Sequence, residues 1–185
     1  MPLNISYKKE ISILVAGPIF QIIAANILIN IFPTDRDLIL MYHNSILLFN
    51  LLPIYPLDGG KFLNIFLSLF FPYKTSIKVT IYLSYLLIII IFFIQTNKNI
   101  NILIMVILLI TVITKELTKI NYLYQKFLLE RYLNNYNFSK SKIISSKEKF
   151  KRNYRHLIKN KGKYYSESEY LSDFFKKNKK IIKNR

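Results

Sequence analysis

Apolar residues along this chain fall in long blocks, and polar residues stay confined to short gaps between them until about residue 115. Ile11 to Phe32 is about 22 residues without a charge, enough for a helix to cross the roughly 30 Å hydrocarbon layer of a bilayer. Pro33-Thr34-Asp35-Arg36-Asp37 makes a polar turn, after which Leu38 to Leu52 begins a second apolar helix. That helix meets the segment Pro53 to Gly60, whose prolines cannot continue it, and apolar character resumes from Phe62 to Phe71. The resumed stretch is too short to span alone, so the two halves read as one discontinuous element, with Gly59 and Gly60 in the turn between them. Val79 to Ile94 and Ile100 to Ile113 are two more apolar runs, separated by a polar hairpin at Gln95-Thr96-Asn97-Lys98-Asn99. The second is short for a span and thins the bilayer or reaches the interface at Lys115. Lys119 to Tyr136 keeps helical spacing, with Ile120, Leu123, Phe127, Leu128 and Tyr132 on one side, as in an amphipathic helix leaving the membrane.

The pattern predicts an all-α, polytopic membrane bundle of about four transmembrane spans, one of them broken by Pro and Gly, followed by a basic tail. Residues 1–118 form the membrane domain, and residues 119–185 form a basic amphipathic tail that serves as a reduced regulatory or substrate-docking module. Charge supports the division: seven basic residues face four acidic ones up to Thr114, and 20 face six in the remainder. Lys8, Lys9, Lys74, Lys78 and the tail fall on one side of the membrane, with Asp35, Arg36, Asp37 and Lys98 on the other. Positive residues favour the cytoplasm, so both termini are expected there, with Asp58 near the cytoplasmic end of the second span. The absence of Cys excludes disulfides and thiolate metal ligands. The first apolar run continues well past Ala24 and Ala25, so it reads as a retained span and not as a cleaved signal peptide. No repeat or second broken helix supports a transporter.

Asp58 is the one acid inside the apolar region, and an ionisable group at membrane depth is a functional-site candidate by default. Irregular backbone survives in lipid only where protein or a water-filled cavity surrounds it, which places Asp58 at an internal polar site. Gly17-Pro18 reads as a packing kink in the first span, and Gln21 and Asn26 read as interhelical hydrogen-bond partners.

The run Asn50-Leu-Leu-Pro53-Ile-Tyr-Pro56-Leu-Asp58-Gly59-Gly60 resembles the NPDG-type motif of the site-2 protease family of intramembrane zinc metalloproteases. Ala16-Gly17-Pro18 resembles the opening of the helix that follows the zinc-binding helix in that family. The segment from Tyr42 to Gly60, together with Phe127-Leu-Leu-Glu-Arg-Tyr132, looks most like a sporulation member of it. The resemblance covers about residues 7 to 135. It implies that Asp58 is a zinc ligand and that Asn50, Pro53, Pro56, Gly59 and Gly60 shape the substrate cleft. The implied activity is zinc-dependent endoproteolysis of a membrane-associated precursor, such as a sporulation sigma-factor proprotein, in a bacterial inner or forespore membrane. The family's other zinc ligands are the two histidines of an HExxH helix, whose glutamate is the general base.

This sequence holds no HExxH. Its two histidines are His43, two turns before Asn50 on the same helix, and His156, in a basic stretch that reads as solvated surface. The chain as written is therefore expected to be inactive, with two further spans and the HExxH lying upstream. A non-catalytic scaffold or substrate-binding pseudoprotease is the alternative. The alternating basic and aromatic residues of the tail point to anionic lipid headgroups, with no nucleic-acid partner expected, and a regulatory membrane partner is implied by the resemblance. The tail is too short and too polar for the paired nucleotide-sensing motifs of the family's sporulation member, and only Glu167 to Phe175 is expected to form a small helix.

Overall fold

The computed structural model describes residues 3–94, 100–134, 136, 138, 140–160 and 162–183, with side chains as far as Lys176. The apolar blocks become helices α1 (Tyr7–Ile31), α2 (Arg36–Leu51), α3 (Asp58–Phe70), α4 (Tyr73–Ile94) and α5 (Ile100–Leu133). Pro33–Asp35 is a single 3-10 turn between α1 and α2. The expected hairpin at 95–99 lies outside the described residues.

Among the described residues three helices, α1, α4 and α5, are long and apolar enough to cross a membrane. The expectation of four spans rests on the α2–α3 pair, where α2 has 16 residues and α3 has 13. Through Ile100 to Ile113 and most of Lys119 to Tyr136, expected as separate elements, runs one helix of 34 residues, Ile100–Leu133, about 51 Å long. No Gly or Pro interrupts that stretch, so nothing in the backbone ends the helix where its side chains turn polar.

Hydrogen bonds give the register between helices. Tyr7 at the start of α1 donates its hydroxyl proton to the Ser68 carbonyl near the end of α3 at 3.0 Å, while Gly17 lies beside Asp58 at the start of α3. The two helices are therefore antiparallel. On α4 the buried stripe Ser76, Thr80 and Ser84 presents small side chains, and each hydroxyl donates to a carbonyl three or four residues back. Small residues at this spacing let neighbouring helix backbones approach closely in lipid. Tyr73 of α4 stacks on Phe127 of α5 with ring centroids 4.3 Å apart. Gln21 donates to the His43 carbonyl at 3.1 Å and so bridges helices as expected, whereas Asn26 bonds back to Ile22 of its own helix.

The tail departs from the all-α expectation. It folds into a three-stranded sheet of order β1 (Ser141–Ile144), β2 (Arg155–Asn160) and β3 (Lys163–Ser166), followed by α6 (Glu167–Lys183). Strand β1 runs parallel to β2, with Ile143 opposite Leu157, and β2 runs antiparallel to β3. The signal was a period-two alternation, since His156 and Ile158 are buried while Arg155, Leu157 and Lys159 are exposed. Phe150, Ile158 and Leu171 form the small core of this unit.

The sheet unit lies across one end of the helical bundle. Tyr73 donates its backbone N–H to the Phe150 carbonyl at 3.0 Å, Lys74 pairs with Glu148 at 2.9 Å, and Arg152 pairs with Glu10 of α1 at 2.6 Å. The Lys151 ammonium donates to the Phe70 carbonyl at the end of α3, and the Tyr124 hydroxyl donates to the Lys147 carbonyl. Helices α1, α3, α4 and α5 are thus all tied to the connection between β1 and β2, residues 147–152.

Candidate functional site

The segment Leu52 to Leu57 folds back sharply between α2 and α3, and the two glycines after Asp58 are what allow it. Gly59 and Gly60 are not in the turn itself, as expected from sequence, but in the first turn of α3. A Cβ on Gly59 would stand 2.1 Å from the Leu51 carbonyl oxygen, and one on Gly60 would stand 2.4 Å from the Ile54 carbonyl carbon. Both positions need the close backbone approach that only glycine permits. The Tyr55 N–H, left without a helical partner by the break, donates to Ser84 Oγ of α4 at 2.8 Å.

Asp58 is the first residue of α3, where the helix dipole favours a negative charge. Its Oδ2 lies 3.6 Å from the place a Gly17 Cβ would occupy, so the Ala16-Gly17-Pro18 segment and the Asp58 segment meet in space. Gly17 is six residues past Ile11, which places this contact about 9 Å along α1 from the start of the uncharged run. The carboxylate is already paired: Lys61 Nζ, one turn on, donates to Asp58 Oδ1 at 2.8 Å. The missed partner was legible, because an acid and a lysine three residues apart share one helix face.

The other expected residues surround this point to different degrees. Asn50 is half-buried in the last turn of α2, Pro53 is exposed, and Pro56 is half-buried. His43 approaches the same stripe of α1, since it meets Gln21, one turn beyond Gly17. Its Nδ1 is buried with no hydrogen-bond partner among the described residues. Glu116, which the sequence reading left in a helix leaving the membrane, lies near the Tyr55 hydroxyl and pairs with Lys119 at 3.0 Å. Its position had no signal in local sequence, because it depends on the α4–α5 register.

Below Asp58, towards the sheet, lies a cavity of about 220 Å³ lined by Leu14, Tyr55, Lys61, Asn64, Tyr73 and Arg152 among others. Asn64 Oδ1 and Arg152 Nε are buried on its wall without partners among the described residues. The rest of its wall is mostly apolar, and a cavity of this volume has room for several waters at about 30 Å³ each beside these polar atoms.

His156 corrects a second expectation. It is 0% exposed and sits in a buried charge cluster, not at the surface. Arg131 Nε pairs with Glu167 Oε1 at 2.5 Å, and its Nη2 donates to Oε2 at 3.1 Å. The Lys151 N–H donates to His156 Nε2 at 3.1 Å, so the neutral ring carries its proton on Nδ1 and offers it to Glu167 Oε2 at 3.3 Å. Burial holds the His156 pKa below its ordinary value. Burial alone would raise Glu167, but the hydrogen bonds from His156 and Arg131 outweigh it and bring its carboxyl down to about 2. The cluster joins α5, β2 and α6, and Arg131 and Glu167 also line a separate cavity of about 250 Å³ with Tyr132, Arg155 and Ser168, apart from Asp58.

Among the described residues no three His, Cys, Asp or Glu side chains come together as a metal site. A catalytic zinc takes three protein ligands and an open position, so the described residues do not by themselves fit one. No family model matches the chain. One curated protein, stage IV sporulation protein FB of Bacillus subtilis (strain 168), is 31% identical over 139 residues, which take in 70% of this chain and 48% of that protein. The chain thus spans about half the length of the curated relative it matches.

Proposed function

From the premise that this chain is a relative of stage IV sporulation protein FB, a member of the site-2 protease family, we propose that it is the aspartate-bearing part of a membrane protease of that type. The observation that carries the reading is the contact between Gly17 and Asp58. Two segments that resemble the family separately, and stand 41 residues apart, come together around one carboxylate.

In this reading the chain is a multi-pass membrane protein with its sheet in the cytosol, and its substrate is a membrane-associated precursor. Zinc enters only in an assembly where the two histidines and the glutamate of an HExxH helix come from outside these 185 residues. There Asp58 would be the third ligand, and the metal would supply an activated water for peptide hydrolysis. The residues of this chain do the rest. Gly59 and Gly60 seat Asp58 at the start of α3, Ser84 fixes the Leu52–Leu57 turn, and Asn50 and Pro56 line the approach. Lys61 neutralises the carboxylate until a metal competes for it.

The pairing of Asp58 with Lys61 also favours a second reading, a substrate-binding membrane protein without catalysis, since the carboxylate is satisfied without metal. Replacing Asp58 by Asn at the native locus separates the two. Quantitative profiling of membrane-protein fragments is expected to lose at least one cleavage product in that strain. An unchanged fragment profile, with the precursor still co-purifying with the variant, would refute the protease. Purified alone, the 185-residue chain is expected to retain well under one zinc per molecule. Stoichiometric zinc would overturn the requirement for outside ligands.

A further inference from the structure

The sheet has two faces, and only one is covered. His156 and Ile158 of β2 point inwards to the core of the sheet unit, while Ile143 of β1, Leu157 of β2 and Tyr164 of β3 stand 58%, 40% and 58% exposed. Their register puts Ile143 beside Leu157, and Lys159 beside Tyr164, on the outward face. Lys159 Nζ lies 5.7 Å from the centre of the Tyr164 ring.

This apolar strip runs into a groove lined by Phe70, Pro72, Lys142, Ile143, Lys149 and Lys159 among others, with a volume of about 570 Å³. Lys151 also lines it, and among the described residues no acid does. Side chains of four lysines therefore border one recess, with no acid on its wall among the described residues. Lys151 shows the consequence: burial and the neighbouring charge of Lys142 hold its pKa below the ordinary lysine value. An anion placed here would gain attraction from several lysines at once.

Position decides which anion. Phe70 and Pro72 belong to the end of α3 and its junction with α4, and Phe66, Leu69, Phe70 and Phe71 beside them are exposed apolar groups at the end of the membrane-embedded bundle. The groove therefore has aromatic and aliphatic surface on its bundle side and lysines on its sheet side. That is the polarity of a bilayer boundary, where apolar groups enter the acyl region and cations meet the headgroups.

We propose that the groove between the end of α3 and strands β1 and β2 is a binding site for the phosphate headgroup of an anionic membrane lipid, with the acyl chains along Phe70 and Ile143. The site lies apart from Asp58 and does not depend on proteolysis. Lys142, Lys149 and Lys159 supply the charge. Lys151 stays on the Phe70 carbonyl and keeps the groove open.

Native mass spectrometry of the full chain in non-ionic detergent, titrated with phosphatidylglycerol, phosphatidylcholine or inorganic phosphate, tests the site. Phosphatidylglycerol is expected to bind in preference to phosphatidylcholine. At about fivefold per lysine, the triple variant Lys142→Gln/Lys149→Gln/Lys159→Gln is expected to lose on the order of a hundredfold in apparent phosphatidylglycerol affinity. Lys8→Gln/Lys9→Gln, at the start of α1, removes charge outside the groove and is expected to keep that affinity. These side chains are on the surface, and an unchanged thermal transition shows that the variants fold. Equal retention of the two lipids, or an unchanged triple variant, overturns the proposal. Displacement of phosphatidylglycerol by millimolar inorganic phosphate makes the groove a free-anion site and also overturns it. As a second measurement that needs no charge variant, Ile143→Cys labelled with a fluorophore in this cysteine-free chain is expected to be quenched more by brominated phosphatidylglycerol than by brominated phosphatidylcholine, and equal quenching counts against the site.

Discussion

Glu167→Gln removes the charge that satisfies Arg131 and His156 at once, and its cost can be worked from the geometry. The Glu167 carboxyl is brought from its ordinary value of 4.5 to about 2, which corresponds to about 3 kcal/mol of interaction favouring the charged form. Breaking a buried ion pair by neutralising one partner leaves the other uncompensated, a loss of about 3–5 kcal/mol in comparable sites. Arg131 is 5% exposed, so water cannot take over the role. The sheet unit should therefore open several hundredfold more often in the variant. Hydrogen exchange of the Arg155–Asn160 amides at pH 7 reads this directly as lost protection. The pH dependence has a definite sign. Folded His156 has a lowered pKa, so its contribution is full above about 6.5 and declines as pH falls below that value. Folded Glu167 is lowered too, so its contribution is full above about 4.5 and is lost towards about 2. Protection in the parent should fall in two steps on acidification, and Glu167→Gln should lack the lower one. Protection of β2 within twofold of the parent at pH 7 would show that Arg131 does not depend on this carboxylate. Replacing Arg131 and Glu167 together by Met should recover much of the loss, because a hydrophobic pair avoids desolvating two charges.

Gly59→Ala should destabilise by about 3 kcal/mol or more, because its Cβ meets the Leu51 carbonyl oxygen, whereas Gly17→Ala meets Asp58 at ordinary contact distance and should be tolerated; thermal melts of the two purified variants make the comparison. Ser84→Ala leaves the Tyr55 N–H without its partner and should cost about 1–3 kcal/mol, read as faster exchange at Tyr55 with little change in α4. Phe127→Ala removes a fully buried ring stacked on Tyr73 and should cost about 3–5 kcal/mol in the melting of the sheet end, with equal melts counting against the α4–α5 register.

Periodicity made the membrane helices legible, because lipid demands long uncharged runs and closed backbone hydrogen bonding. The break at Pro53 to Gly60 was equally plain, since proline and glycine act on local backbone. The sheet was missed for a physical reason. Its strands are four to six residues long and bury one side only, and in a basic segment two inward residues such as His156 and Ile158 give little signal. His156 looked like surface because its neighbours are charged, yet alternation along a strand sends Arg155 and His156 to opposite faces. At the candidate site the sequence singled out Asp58, and a three-residue spacing on one helix face could have supplied Lys61. Glu116 could not be placed, since its meeting with Tyr55 depends on how two helices slide past each other.

The pairing of Arg152 with Glu10 makes α1 a lever. From Glu10 to Gly17 is about 10 Å of rigid helix, so a tilt of roughly 10° about the sheet end shifts Gly17 by about 2 Å. That displacement is more than half of the 3.6 Å between Asp58 and the Cβ position of Gly17. Lys151 and Arg152 are consecutive residues, so the loop that grips Glu10 of α1 also grips the Phe70 end of α3, and the spacing between Gly17 and Asp58 is referred to one short segment of the sheet unit.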